Sequence, residues 1–340
     1  MSYERLYFYD KERRRGVYPF DEEIGQEGET TSGVEQALAE LAAHMPYGQA
    51  ARLYSRLTGV KLSTSAVWEI VQQAGQMARP ALDPITTGKP TREDARCLAV
   101  TMDGCMSNIR EEGWKEVKIG AVFEANRVSE HEDEGIKGSA QSYVAHLGGP
   151  EGFATKLAAE AHSRGFHQME QQAVVGDGAA WIWNIAHADY PNAAHIVDWF
   201  HAREHLYAAA NEIFAGCPES DKAAWIQTHT DLLFNGDAEK IACHLEAHAA
   251  SCQLPDISLS RLNTEAGYFR THTQRMQYAD FRNASLPIGS GVIESGAKQL
   301  KQRVSGAGMR WSRQGLENLL PLRTAVMSDT FHLLWHRICP

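Results

Sequence analysis

Residues 93–211 read as one run of regularly spaced elements: three apolar strands in direct succession, then helix, strand, helix, strand and helix. The first apolar run, Cys97–Met102, stops at Asp103-Gly104. Glu116–Glu124 and Gln141–Leu147 follow as the second and third. Phe153–Ser163 has the spacing of an amphipathic helix, and Gln172–Gly176 is a strand that stops at Asp177-Gly178. Ala179–Ala188 returns to helical spacing, and Ala194–Trp199 is a last strand feeding a helix through Leu206. Strands that follow one another closely pair antiparallel as hairpins, whereas strands separated by a helix pair parallel. The segment therefore predicts an α/β fold around a mixed sheet.

That order of elements is the order of a ribonuclease H-like sheet. Residues 93–211 form the first part of such a core. Residues 212–284 lack strand signals and read as a helical insertion, and 285–328 return to the core with helices at Val292–Val304 and Leu316–Met327. Residues 329–340 are a tail. Upstream, 1–33 is a polar arm with Arg13-Arg14-Arg15 and Asp21-Glu22-Glu23, and 34–79 is a small helical domain. It has helices near 34–45 and 47–58, the second with Ala50, Leu53, Tyr54 and Leu57 at helical spacing. Gly59 is a natural stop, and Ser63 an N-cap for a third helix through Val67, Ile70 and Val71. This outline fits a helix-turn-helix and equally an ordinary helical hairpin. Pro80, Pro84, Gly88 and Pro90 mark a linker over 80–92.

A composition of 43% hydrophobic and 22% charged residues excludes disordered and collagen-like chains. No apolar run approaches the length of a membrane span and the N-terminus is no signal peptide, so a cytoplasmic chain with no membrane partner is expected. Six cysteines without any C-x-x-C argue against a disulfide framework or zinc ribbon. The net charge of −10 argues against nucleic acid until its distribution is considered. Residues 261–340 carry eleven Lys/Arg against five Asp/Glu, a net of +6, which leaves −16 for residues 1–260. Within 282–313, six basic residues surround a lone acid, Glu294.

Three acids are candidates for chemistry. Asp103 and Asp177 each end an apolar strand, where a carboxylate is costly to desolvate unless something binds it. In the expected order their strands are neighbours, and two adjacent carboxylates repel unless a hard divalent cation such as Mg²⁺ bridges them. Both are equally readable as turn-initiating Asp-Gly pairs. Glu294 shares a helical stripe with Lys298, Lys301 and Ser305, which would offer one carboxylate to a second metal and two ammonium groups to phosphates. An ordinary ion pair to Lys298 explains Glu294 as well. Two aspartates and a glutamate holding two ions suit in-line phosphoryl transfer.

The chain resembles bacterial insertion-sequence DDE transposases, most closely the ISKra family. The segments that carry the resemblance are Thr101-Met102-Asp103-Gly104, Glu111–Lys118, Gly176-Asp177-Gly178-Ala179-Ala180-Trp181-Ile182-Trp183 and Ile196–Leu206. Gly289-Ser290-Gly291-Val292-Ile293-Glu294-Ser295 and Gly308-Met309-Arg310-Trp311-Ser312 complete them, and the resemblance covers about residues 16–328. It implies Asp103, Asp177 and Glu294 as a triad for two Mg²⁺ or Mn²⁺ ions, and Asp198 and His201 as a supporting Asp-x-x-His element. Members often carry an N-terminal zinc ribbon before the segment matched here by Pro19-Phe20-Asp21-Glu22. Tyr7–Val17 has no cysteine, so a shortened or ribbon-less copy is expected.

The function expected on these grounds is hydrolysis of a phosphodiester at element ends, then transfer of the 3′-hydroxyl into target DNA. Double-stranded DNA is the partner, bound by a homodimer or higher oligomer. Lys298, Lys301, Arg303, Arg310 and Arg313 would track phosphates, and Trp311 would stack on an unpaired base; core packing is the other reading of Trp311. A nuclease of the same fold and an inactive DNA-binding remnant are the alternatives. His201-Ala202-Arg203-Glu204-His205 also fits H-x-x-E-H, the pattern of a zinc metallopeptidase.

Overall fold

The computed structural model describes residues 7–10, 15–17, 30–79, 84–127, 136–251 and 255–339. The Pro19–Glu22 segment and most of the expected arm lie outside these. The chain divides into two compact units: residues 1–85 with 311–340, and residues 86–310. Among the described residues, no helix is long and apolar enough to cross a membrane.

The first unit opens with a short antiparallel pair, β1 (Phe8–Asp10) and β2 (Arg15–Val17). Three helices follow: α1 (Ser32–His44), α2 (Tyr47–Thr58) and α3 (Thr64–Met77). Gly59 ends α2 in the left-handed conformation at φ 77°, and the Ser63 hydroxyl caps α3 by accepting from the Ala66 amide at 3.1 Å. The buried face of α3 is Val67, Ile70, Val71 and Ala74, the period of an amphipathic helix.

The second unit carries the sheet. β3 (Cys97–Ile109), β4 (Gly113–Arg127) and β5 (Ile136–Leu147) form an antiparallel meander. Helix α4 (Pro150–Ser163) leads to β6 (Gln171–Gly176), α5 (Ala180–Asp189), β7 (Ala194–Val197) and α6 (Trp199–Ile213). The order β5-β4-β3-β6-β7 makes a mixed five-stranded sheet in which β6 and β7 run parallel to β3. α7 (Glu219–Phe234), α8 (Ala238–Ser251), α9 (Asp256–His272) and α10 (Tyr278–Asn283) occupy the expected insertion. Their Leu233, Ile241, Leu245, Leu262 and Phe269 belong to the same apolar core as Val174, Val175 and Ile196 of the parallel strands. Full burial of each such side chain contributes about 1.5–3 kcal/mol.

Helix α11 (Gly291–Val304) and helix α4 cover opposite faces. Phe153 and Leu157 of α4 close over Gly120, whereas the Tyr143 hydroxyl donates to the Val292 carbonyl of α11 at 3.3 Å. Tyr143 pairs with Ala121, the neighbour of Gly120, and successive strand residues point to opposite faces. Asp103 pairs with Ile119, two residues from Ala121, and so lies on the α11 face. The far end of the meander is tied by a buried ionic group. Arg164 donates to the Val122 and Ala140 carbonyls and lies 3.5 Å from Glu124, while Glu160 accepts from the Thr87 amide and hydroxyl.

The chain then returns to the first unit with α12 (Arg313–Met327) and α13 (Phe331–Ile338). Asn318 of α12 donates to the Gln72 side chain at 2.9 Å and accepts from Arg79 at 2.8 Å, and the Trp335 indole donates to Ser32 at 3.4 Å. Two expectations change here. The stretch 285–328 is split, because α11 packs on the sheet while α12 packs with α1 and α3. The tail 329–340 contains a helix, whose Phe331, Leu334, Trp335 and Ile338 are buried at helical spacing.

A third change concerns β3. The apolar run was expected to end at Met102, yet the strand continues through Asp103-Gly104 to Ile109. Pairing with β4 carries the ladder from Gly104↔Lys118 to Ile109↔Gly113. The ladder to β4 sustains that second half across the polar Gly104, Ser107 and Asn108, while Cys105 and Ile109 are buried.

Candidate active site

Parallel pairing brings three carboxylates to one edge. Thr101 pairs with Val175 and Gly176 with Val197, so the register carried forward puts Asp103 beside Asp177 and Asp177 beside Asp198. Neighbouring strands lie about 4.8 Å apart. All three acids stand at the carboxyl end of the parallel strands, where open α/β sheets bind ligands.

Each aspartate is held differently. Asp103 accepts from the Gly104 amide at 2.6 Å. Burial pushes its carboxyl above the usual range, and the charge of Asp177 acts in the same direction. The Gly104 hydrogen bond, Lys301 of α11 and His201 of α6 oppose that rise. Asp177 accepts from the Ala179 amide at 2.8 Å, which closes a tight Asx turn through Gly178 at φ 111°. Asp198 is fully buried and caps α6, accepting from the His201 amide at 2.8 Å. Its second oxygen accepts from the Ser290 amide, and the Trp199 amide donates to the Ile288 carbonyl at 2.8 Å. Asp198 thus ties the loop that starts α11 to the end of β7. A side chain whose oxygens are both committed to backbone amides positions its neighbours.

The remaining expected residues divide. Lys301 comes within electrostatic reach of Asp103, and His201 does the same from α6. Glu294 sits in the first turn of α11 with its side chain 42% exposed and pairs with Lys298 at 3.8 Å. Among the described residues, no group of three or more Asp, Glu, His or Cys converges as a metal cage. The structure therefore brings Asp103 and Asp177 together and leaves Glu294 in the local ion pair. Two half-buried carboxylates side by side still suit a hard cation, since each supplies oxygen donors and their repulsion is relieved by positive charge.

In H-x-x-E-H, Glu204 reaches His201 at 3.3 Å, while His205 Nδ1 meets Glu265 of the insertion at 2.5 Å. Lys298, Lys301 and Arg310 of the second unit are exposed, and so is Arg313 of the first. Arg303 and Trp311 are not: at 2% and 8% exposure they are buried, and the Trp311 ring meets Tyr47 edge-on at 6.3 Å. Their expected DNA contacts are corrected to packing roles, because a buried guanidinium or indole offers no face to a nucleic acid.

Three contributors carry no sequence signal: the Ser290 amide, Glu265 and Tyr268. Tyr268 of α9 donates its hydroxyl to the Asp177 carbonyl at 2.9 Å, and its ring fills the space beside Gly178. Only the fold brings residue 268 to residue 177.

Comparison with known proteins adds a family. The family described as "Uncharacterised protein family (UPF0236)" matches residues 1–332. A relative named "UPF0236 protein in vanSb 3'region", from Streptococcus gallolyticus, is 27% identical over 92 residues. That match covers 27% of this chain and 20% of the relative's length.

Proposed function

The chain belongs to the uncharacterised protein family UPF0236, and on that premise we propose that it is a DNA transposase of the DDE type implied by its resemblance to the ISKra family. The observation that carries this reading is the nearness of Asp103 and Asp177, each two residues beyond the last parallel pair of their strands, Thr101 with Val175, with the charge of Asp177 acting on Asp103. The strand order β5-β4-β3-β6-β7 supports the ribonuclease H-like reading of the fold. A basic helix, α11, lies on the face that carries Asp103 and supports contact with DNA phosphates.

Asp103 and Asp177 would hold the divalent ions, Mg²⁺ or Mn²⁺, and Glu294, on leaving its ion pair with Lys298, would complete the second site. Such ions, when bound, supply an activated oxygen nucleophile and charge stabilisation for the leaving oxygen. The chain's own residues do the rest. Lys301 neutralises charge beside Asp103 and orients a phosphate, and Asp198 holds the α11 loop so that Glu294 is presented from a fixed helix start. Water serves as the first nucleophile and a DNA 3′-hydroxyl as the second, so no side chain forms a covalent intermediate. Double-stranded element ends and target DNA are the substrates, with two or more copies of the chain acting on paired ends.

The experiment is a strand-transfer assay on DNA carrying the element ends, with Mg²⁺. The parent joins ends, and Asp103→Ala, Asp177→Ala and Glu294→Ala each lose at least about 10³-fold in rate, the scale of several kcal/mol of lost charge stabilisation. Cleavage without joining would make the chain a nuclease of this fold. Variants that join ends as the parent does would sink the assignment.

A further inference from the structure

We infer that the helical insertion is a working part of the candidate site: Tyr268, backed by His205 and Glu265, is a positioning residue that holds the Asp177-Gly178 turn in its ligand-binding form. The inference rests on the reading of Asp103 and Asp177 as a cation-binding pair and deepens it by assigning three residues that the resemblance does not.

The argument is geometric. Gly178 has φ 111°, a conformation that releases easily unless its surroundings impose it. The Tyr268 ring lies against Gly178, with its Cε2 2.7 Å from where a Cβ would stand, and its hydroxyl donates to the carbonyl of Asp177 at 2.9 Å. The turn is thus gripped from one side by a ring and from the other by the Asp177 carboxylate, which accepts from the Ala179 amide. The ring in turn is fixed. His205 of α6 stacks on it with centroids 3.5 Å apart and planes 21° apart, and Glu265 holds His205 Nδ1 at 2.5 Å. Glu265 and Tyr268 are three residues apart on α9, so one helix supplies both ends of the brace. Glu265 is 14% exposed and His205 32% exposed, so water competes weakly for their bond.

The chain of contacts, Glu265 to His205 to Tyr268 to Asp177, runs from an insertion that shares its core with the parallel strands. Asp177 needs an imposed turn because nothing beyond β6 pairs with it. Asp103 needs none, since β4 holds the strand on which it sits.

The test uses the full chain without metal, then with Mn²⁺. Amide exchange at Ala179, whose N–H is bound to Asp177, reports the turn directly. Tyr268→Phe keeps the ring and loses the hydroxyl; it is expected to raise Ala179 exchange about tenfold, the scale of one lost hydrogen bond. The same variant weakens Mn²⁺ binding about tenfold while amide exchange around 103–105 stays at the parent value. Glu265→Ala loosens the turn less, and Glu265→Gln, which keeps an acceptor for His205, restores it. Parent-like Ala179 exchange in Tyr268→Phe overturns the inference, as does an equal rise of exchange around 103–105. If the parent binds no Mn²⁺, or binds it unchanged in Asp177→Asn, the cation reading fails separately, and the exchange result still decides the brace.

Discussion

Asp103-Gly104 and Asp177-Gly178 are the same dipeptide after the same kind of apolar run, yet the chain passes straight through the first and turns sharply at the second. At Asp103 the strand has an antiparallel neighbour, and the ladder with β4 continues for six residues beyond it, to Ile109. At Asp177 the strand has parallel neighbours only, both of which end their pairing near Gly176, so the backbone must leave the sheet. The two glycines accordingly do different things. Gly178 supplies a left-handed φ of 111°; Gly104 keeps extended backbone and leaves room for the Glu116 carboxylate of the facing strand. A dipeptide therefore says where a carboxylate can be presented, and the partner strand says what the backbone does there.

Substitution of the two glycines separates these roles. Gly178→Ala would combine an unfavourable φ with a Cβ pressed against the Tyr268 ring, a loss of about 2–3 kcal/mol by denaturant unfolding. A loss under about 0.5 kcal/mol would mean that the turn relaxes freely and is not imposed.

Acid should also discriminate between the two sites. His272 lies against Tyr268 and beside the Gly178 backbone, and its imidazole accepts from Arg275 at 3.0 Å. Burial, then the charges of Arg275 and His205, lower its pKa from 6.5 to about 4, with Asp177 opposing. A histidine lowered on folding is neutral in the fold while the unfolded chain takes up a proton, so stability falls as pH drops from 6.5 toward 4. The slope is at most about 1.4 kcal/mol per pH unit. Amide exchange should rise around 177–179 before it rises around 103–105, and His272→Gln should flatten the dependence. Equal acid sensitivity at both aspartates would contradict the contrast.

Gly104→Ala is the mildest change. The added methyl meets the end of Glu116, a side chain 41% exposed that pairs with Lys118 and can shift with it, so about 1 kcal/mol is expected. Lys118→Met with Glu116→Ala, which removes the buried ion pair along with the clash, should leave Gly104→Ala with no cost of its own. A cost equal to that of Gly178→Ala would show that Gly104 is also under backbone constraint.

Much of this arrangement was legible from residues alone. Apolar spacing located the strands and helices of 97–206, Gly59 and Ser63 marked the ends of α2 and α3, and Asp103 and Asp177 were recognisable as carboxylates out of place at strand ends. These are local signals, set by side-chain period and by the caps that helix ends need. The reach of β3 to Ile109 was not legible, because Gly104, Ser107 and Asn108 interrupt the apolar run and are held by pairing with β4. Arg303 reads as a surface residue from its company, and burial reverses that; for Trp311 burial decides between stacking and core packing, since a basic or aromatic residue between charged neighbours still faces inward if the helix or loop turns it so.

What the sequence by itself determined is which residues can carry charge into an apolar sheet, and in what order strands and helices arrive. Tertiary structure alone decided that Glu294 pairs with Lys298, and that Asp198 spends both oxygens on backbone amides of His201 and Ser290. It also decided that a tyrosine 91 positions downstream holds the Asp177 turn. Period and capping act over a few residues, whereas register and packing join residues whose separation along the chain carries no trace in the local pattern.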